Sequence, residues 1–417
     1  MPEFQIKGSH YIFEWPEYLL QAEVSRINEN HESVKCQIVF TTTDPADDPH
    51  LLQTRLTLDS SRSRSEVAKE MAGRYQCEGS SIDWKALLEY VSVKTIRESE
   101  KGDPVVEIHS TDEVKPLDYL IAPIIPLGKP SVFFGDPGAG KSQLAAVIVL
   151  LACFEGYVNP LRLTPPARTM RGLVLDWEAD EDDWRRQLKW FTDIFGLGYA
   201  EMYYRRCSLS LAHDLDAIRA HIEEVKADYV IIDSVSLAAG GDLNHMDIAT
   251  NYFRALRQLN MTTISLAHTS KDRENKSKTI LGSVLFEAGA RNVWEVRGQE
   301  DDNILDIGLF HRKSNLSKKH TPLGYRILYK PDPNNPSQTI PDAMVWHNPT
   351  NVAEFVERMG TNQRVIELLK EHPATDKDII DLLGISRGNW RVTKSRLKSK
   401  NIITEVDGCN VLVTTFS

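Results

Sequence analysis

Cysteine is scarce in this 417-residue chain. The five residues stand at positions 36, 77, 153, 207 and 409, none at metal-ligand spacing from another. That spread excludes a disulfide-built scaffold and a zinc finger or ribbon, and reads as reduced thiols. Long hydrophobic runs are missing as well. The longest apolar stretch, residues 144–154, is too short to cross a bilayer. Residues 1–8 mix polar and charged with isolated apolar side chains, unlike a secretory leader. A cytoplasmic protein without a membrane partner is the expectation. Positive charge is also in deficit: 49 Lys and Arg stand against 59 Asp and Glu, a net charge of −10. This excludes a surface coated for nucleic acid, but not a local basic site.

What is present begins with an octet, Gly135-Asp136-Pro137-Gly138-Ala139-Gly140-Lys141-Ser142, followed by Gln143. It reads G-x-x-x-x-G-K-S, the Walker A loop. Backbone N–H groups would wrap a nucleotide's phosphates, Lys141 would reach the β- and γ-phosphates, and Ser142 would ligate Mg²⁺. The context fits the mechanism. Residues 131–134 (SVFF) read as a buried strand and 143–154 as an apolar helix, and a helix N-terminus favours anions. ATP and Mg²⁺ are the expected ligands.

Length and composition, 41% hydrophobic and 26% charged, suit a soluble protein of two or three domains. Residues 1–115 form the first expected unit, with strands near 11–15, 18–27, 34–42 and 51–58 and helices at 63–75 and 83–97. Its charge of roughly −8 makes it a poor partner for a phosphate backbone. A recruitment or replication partner, ring assembly, or a structural cap are the roles it fits.

Residues 116–350 alternate short apolar strands (132–134, 173–177, 229–233, 262–267) with helices such as 215–226, a parallel α/β signature. Beyond Trp294, segments 293–296, 304–310 and 325–329 follow one another without long helices, which predicts appended antiparallel strands. Pro331-Asp-Pro-Asn-Asn-Pro336 reads as a surface loop. Residues 351–417 close the chain. A helix at 363–370, one capped by Thr375 through Leu383, one capped by Ser386 to about Lys400, and a hairpin around Asp407-Gly408 predict a winged helix.

Walker A alone names no reaction. Tyr229-Val-Ile-Ile-Asp233 has the form of a Walker B strand, whose carboxylate would hold Mg²⁺ beside Ser142. In many ring ATPases a glutamate follows directly; here Ser234 does, so the base must come from elsewhere. The strand 172–177 leads into Glu178, which is favoured over nearby Asp176 for orienting water. Asp180, Glu181, Asp182 and Asp183 crowd the same stretch, and such acids also simply favour a helix N-terminus.

The ordered set of Walker A, strand-end Glu178, Asp233-Ser234, then His268 and Lys271, with Gly282-Ser283 and Arg291 beyond, resembles the RecA-type ATPase core, closest to hexameric plasmid replicative helicases of the RepA kind. The resemblance covers about residues 117–330. It implies an α/β parallel sheet and a homo-oligomeric, hexameric ring. His268 would couple the γ-phosphate to DNA-facing loops, although a buried, hydrogen-bonded histidine fits the bare residue as well. Arg291 would reach the neighbouring subunit's nucleotide, with a helix-face ion pair as the alternative, and Lys313 would stand near the subunit interface. One departure is Ala179, where relatives often carry Asp directly after the strand-end acid.

Loops after Asp233 (234–245, with Gly240-Gly241) and after His268 (271–280) would line a channel holding single-stranded DNA. The second carries Lys271, Arg273, Lys276 and Lys278, but also Asp272 and Glu274, and no aromatic for base stacking. The last helix carries Arg387, Arg391, Lys394, Arg396, Lys398 and Lys400 with no acid from 386 to 400. A basic second helix of a helix-turn-helix enters a duplex major groove, though winged helices also bind proteins. The expectation is a Mg²⁺-dependent ring ATPase acting on DNA, of the replicative helicase or translocase type. Its rivals are a recombination or repair ATPase that does not unwind, and a nucleotide-controlled DNA-binding regulator.

Overall fold

A computed structural model describes residues 2–7, 10–30, 33–44, 48–77, 81–101, 105–114, 116–269, 289–352, 355 and 359–413. The chain divides into two compact units, residues 1–115 with 216–220, and 116–215 with 221–417.

In the first unit, β1 (Glu3–Lys7), β2 (His10–Trp15), β3 (Leu20–Asn30), β4 (Ser33–Thr42) and β5 (His50–Thr57) form one antiparallel sheet in chain order. Two helices follow, α1 (Ser61–Arg74) and α2 (Trp84–Glu100), started by caps from Ser60 to Ser63 N and from Asp83 to Lys85 N and Ala86 N. Alternate residues such as Ile38 and Phe40 enter a core with Phe13, Val24, Met71 and Leu88. The edge strand β1 escaped the sequence pattern because four of its five residues are exposed.

The second unit opens on a short pair, β6 (Tyr119–Ile121) and β7 (Ile125–Pro126). Then come β8 (Pro130–Gly135), α3 (Lys141–Ala152), β9 (Gly172–Asp176), α4 (Glu181–Ile194), β10 (Tyr203–Arg206), α5 (Leu215–Val225), β11 (Tyr229–Asp233), α6 (Val235–Ala238), α7 (Met246–Leu259) and β12 (Thr262–His268). Four long strands complete its sheet: β13 (Asn292–Asp301), β14 (Ile304–Ser314), β15 (Leu323–Asp332) and β16 (Asn335–Trp346). The order is β10-β9-β11-β12-β8-β13-β14-β15-β16. From β10 to β13 the neighbours run parallel; from β13 outward they alternate.

This corrects one expectation. The segment at 293–296 is not the first antiparallel strand, because it pairs parallel with β8, Asn292 opposite Ser131. Antiparallel pairing starts one strand later, at β14. Pro331–Pro336 forms the tip of the β15–β16 hairpin, a surface turn within the appended strands as expected. β10 and β16 carried too few buried apolar residues to announce themselves.

Helix α3 is buried along nearly its whole length, so its apolar run belongs in the core with Trp184, Phe191, Trp294 and Ile307. The last segment packs three helices, α8 (Thr361–Glu371), α9 (Asp376–Leu383) and α10 (Arg387–Ser399), around Val365, Ile379, Trp390 and Leu397. The hairpin β17 (Ile403–Val406) and β18 (Cys409–Leu412) follows. Thr375 and Asp378 form a reciprocal capping box at the start of α9, Gly384 closes it, and Ser386 caps α10. Among the described residues no helix is long and apolar enough to cross a membrane.

Candidate functional site

Parallel strands deliver their C-terminal ends to one edge of the sheet, and the polar residues gather there. Asp233 lies opposite Asp176 across β11 and β9, and His268 opposite Gly135 across β12 and β8. The resulting cavity of about 220 Å³ is lined by Lys141, Ser142, Gln143, Glu178, Asp233 and His268, among others. Gly140 is a position where glycine is needed. Its φ is +87°, and a Cβ there would sit 2.4 Å from Ile307 Cδ1.

Lys141 Nζ donates to the carbonyls of Gly135 at 3.0 Å and Asp136 at 2.8 Å, which holds it across the mouth of the loop. Burial pulls its pKa down, against the pull of Asp233, Glu178 and Asp136. Ser142 Oγ lies 3.4 Å from Asp233 Oδ2. Burial, then Asp176 and Glu178, push the Asp233 carboxyl up to about 7 despite Lys141 and Ser142. A carboxylate buried among acids beside a serine hydroxyl is a fitting pair of ligands for a divalent cation, which would relieve that repulsion. Ser142 and Asp233 would hold Mg²⁺, and the Lys141 loop the phosphates.

Hydrogen bonding sets Asp176 apart from Glu178. Asp176 is wholly buried and accepts from Glu178 N (2.8 Å), Ala179 N (2.9 Å), Trp184 Nε1 (3.1 Å) and Tyr204 OH (3.3 Å). Four donors fill a carboxylate's accepting capacity. Asp176 therefore shapes the turn that carries Glu178 and has no lone pair left for water. The Glu178 side chain remains 47% exposed, with His268 Nε2 at 3.4 Å from its Oε2. Burial raises the Glu178 pKa, but hydrogen bonds from Ser234 and His268 and the charge of Lys141 outweigh it, so the group is held below its usual range. It is an ionised carboxylate at neutral pH.

Two contacts here had no signal in the sequence. Thr269, directly after His268, donates to Asp136 Oδ1, so the end of β12 is tied to the phosphate loop itself. Ser234, directly after Asp233, hydrogen-bonds Glu178 and lies 2.9 Å from Ser236 Oγ.

Other expected site residues lie elsewhere. Arg291 is exposed just before β13, at the opposite end of the sheet from Gly135, about 15 Å away along the strand. Lys313 faces Val293 across β14, at that same far end. Neither lines the cavity of its own chain. Further along β13, opposite Phe134, buried Glu295 is clamped by Arg297 and Arg312, a cluster that strand periodicity gave no reason to expect. Of the two expected channel loops, the first is partly helical (α6), and its Gly240 is required by packing: φ is +74° and a Cβ would fall 2.5 Å from Ser210 Cβ. Lys271, Arg273, Lys276 and Lys278 lie outside the described residues.

The basic run of α10 is divided by the fold. Lys394 pairs with Asp376 at 2.7 Å and Glu405 at 3.1 Å, and Lys398 with Glu405 at 3.0 Å. Arg387, Arg391, Arg396 and Lys400 are exposed and form no ion pair among the described residues.

A strand inserted between the phosphate-loop strand and the Asp233 strand, with lysine, serine, aspartate and a strand-end glutamate around one cavity, defines a RecA-type P-loop ATPase core. Residues 96–274 match the family model of an AAA domain. The crystal structure of a KaiC-like protein from the hyperthermophilic archaeon Pyrococcus horikoshii is 17% identical, covering 55% of this chain and 93% of that one, at a TM-score of 0.35. At that score the likeness carries no argument of its own. No curated protein sequence matches.

Proposed function

We propose that this chain is a ring-forming, Mg²⁺-dependent ATPase acting on DNA, of the replicative helicase or translocase type. The observation that carries the ATPase half is the pairing of an ionised, half-exposed Glu178 with the Lys141–Ser142–Asp233 cluster. In this reading Glu178 accepts a proton from water as its oxygen bonds to the γ-phosphorus. The bond to the β,γ-bridging oxygen breaks, and ADP leaves with its charge stabilised by Lys141. Mg²⁺ bound at Ser142 and Asp233 would neutralise phosphate charge. His268, within reach of Glu178, is placed to sense the occupied site and to pass that state to the segment after Thr269.

Arg291 supports a site shared between copies. Fixed at the far end of its own sheet, it can meet a nucleotide only on another chain. Such a site is completed by oligomerisation and gains transition-state charge in trans. For DNA, the support is the exposed arginine set of α10, a serine-capped helix in a helix–helix–hairpin arrangement that resembles a winged helix.

ATP turnover with and without single-stranded DNA, followed by strand displacement on a forked duplex, tests the reading. Stimulation with displacement supports it. Stimulation without displacement favours a non-unwinding ATPase, and no response to DNA sinks the DNA half. For the shared site, Arg291→Ala and Glu178→Gln subunits are mixed. Recovery of turnover is expected, because some interfaces regain both groups; none in well-mixed assemblies overturns the trans role.

A further inference from the structure

Between α9 and α10 lies a groove of about 670 Å³ that the nucleotide site does not use. Ile380 and buried Trp390 give it an apolar floor, and five Lys or Arg line it against two acids, Asp376 and Asp381. The fold fixes its width. Lys394 reaches Asp376 on α9 and Glu405 on β17, and Asn410 Nδ2 donates to the same Asp376 at 2.8 Å. Lys377, Arg387 and Arg391 remain exposed along the groove and form no ion pair among the described residues. Surplus positive charge beside an apolar floor is complementary to a sugar–phosphate strand.

The turns of α10 sort its side chains into stripes. Arg387, Arg391, Lys394 and Lys398 lie on the groove side. The next stripe, Gly388, Val392, Ser395 and Ser399, is exposed and holds nothing larger than valine. Beyond it Arg396 and Lys400 are exposed as well. A Cβ at Gly388 would meet only Ser386 Oγ, at 3.9 Å, so the backbone there is open to close approach. Base pairs are told apart chiefly by long side chains that make paired hydrogen bonds to base edges, and the central stripe has none. Asn389, the one Asn or Gln of α10, is engaged within the fold. Its Nδ2 donates to Thr361 Oγ1 at 3.4 Å, and its Oδ1 accepts from Thr393 Oγ1 at 3.5 Å. The hairpin adds no cation, since residues 401–417 hold Glu405 and Asp407 but no Lys or Arg.

We propose that α9 and α10 grip duplex DNA by its backbone, without preference for base sequence. The proposal rests on the reading that this segment meets DNA, and it deepens that reading by naming what is recognised. One strand's phosphates lie along Lys377, Arg387 and Arg391. The small stripe of α10 faces the major groove, and Arg396 and Lys400 meet the phosphates of the other strand. A sequence-neutral surface serves an enzyme that travels along DNA, whereas a regulator must find one site among many.

The full chain is titrated with labelled duplexes of unrelated sequence across a salt series, and a randomised duplex library is sequenced before and after binding. Affinities are expected to agree within about threefold, with no motif enriched. Lys377→Ala and Arg396→Ala should each weaken every duplex alike and reduce the salt slope by about 1. The paired change Val392→Ala with Ser395→Ala should alter affinity less than about twofold, because neither side chain holds a phosphate or a base pair. All four residues are exposed, so these changes leave the folded core intact. An enriched motif bound at least about tenfold tighter overturns the sequence neutrality and leaves DNA binding standing. A salt slope that Lys377→Ala lowers but Arg396→Ala and Lys400→Ala do not overturns the two-sided grip. A chain that binds no duplex at any salt overturns both the proposal and the reading beneath it.

Discussion

The nucleotide end of the sheet and the basic helix α10 both looked like charge-bearing motifs, and the fold treats them in opposite ways. At the nucleotide end, residues far apart in sequence meet and each gains a defined partner: Ser142 with Asp233, Glu178 with His268, Asp136 with Thr269. Along α10, residues adjacent in sequence are separated into two sets. Lys394 and Lys398 are tied to Asp376 and Glu405, whereas Arg387 and Arg391 stay exposed. Chemistry that requires one geometry forces a particular spacing on the chain. A run of like charge imposes no geometry, so its neighbours in space decide what each residue does.

The largest effects should come from the nucleotide end. Lys141→Ala and Glu178→Gln are each expected to lower ATP turnover by roughly 10²–10⁴. They should differ in binding: Glu178→Gln keeps nucleotide affinity, because the side chain faces water rather than the loop, and Lys141→Ala loses it. Equal loss of affinity in both would blur the distinction between holding and reacting.

Asp233 gives a pH test. Its folded pKa of about 7 lies above the ordinary carboxylate value of 3.8. The folded state therefore favours the protonated form, and stability falls as pH rises from about 4 to 7, with the full penalty above 7. Without metal, Asp233→Asn should stabilise the protein at pH 8, by at most about 4 kcal/mol, and change little at pH 4. Mg²⁺ should stabilise the wild type at pH 8 but not the variant. Thermal melts at the two pH values check both statements.

On α10 the effects are smaller and should divide as the ion pairs do. Arg387→Ala and Arg391→Ala are each expected to weaken duplex binding across sequences and to reduce the salt slope by about 1. Lys394→Ala should leave that slope unchanged and cost about 1 kcal/mol of stability, since its partners are half exposed. If all three variants change the slope alike, the fold does not divide the helix and the comparison fails.

How far the sequence reached follows the same logic. The α/β class, the strand–loop–helix around Lys141 and the capped helices α9 and α10 were readable because periodicity and caps are local properties. The parallel course of β13 was not, since pairing direction depends on which strand lies beside it after a long connection. The end of β9 favoured Glu178 over Asp176 but showed nothing of what either carboxylate touches. Only the structure shows the four donors around Asp176, two of them from Trp184 and Tyr204.

By itself, then, the sequence determined a phosphate-loop pattern, because a glycine loop, a lysine and a hydroxyl work only at one spacing. The tertiary structure decided which acid is filled with hydrogen bonds, which stays half exposed, and which lysines are already paired. It also set Arg291 at the sheet end away from its own site. These depend on distances between residues that the chain brings together only by folding, and no local pattern encodes them.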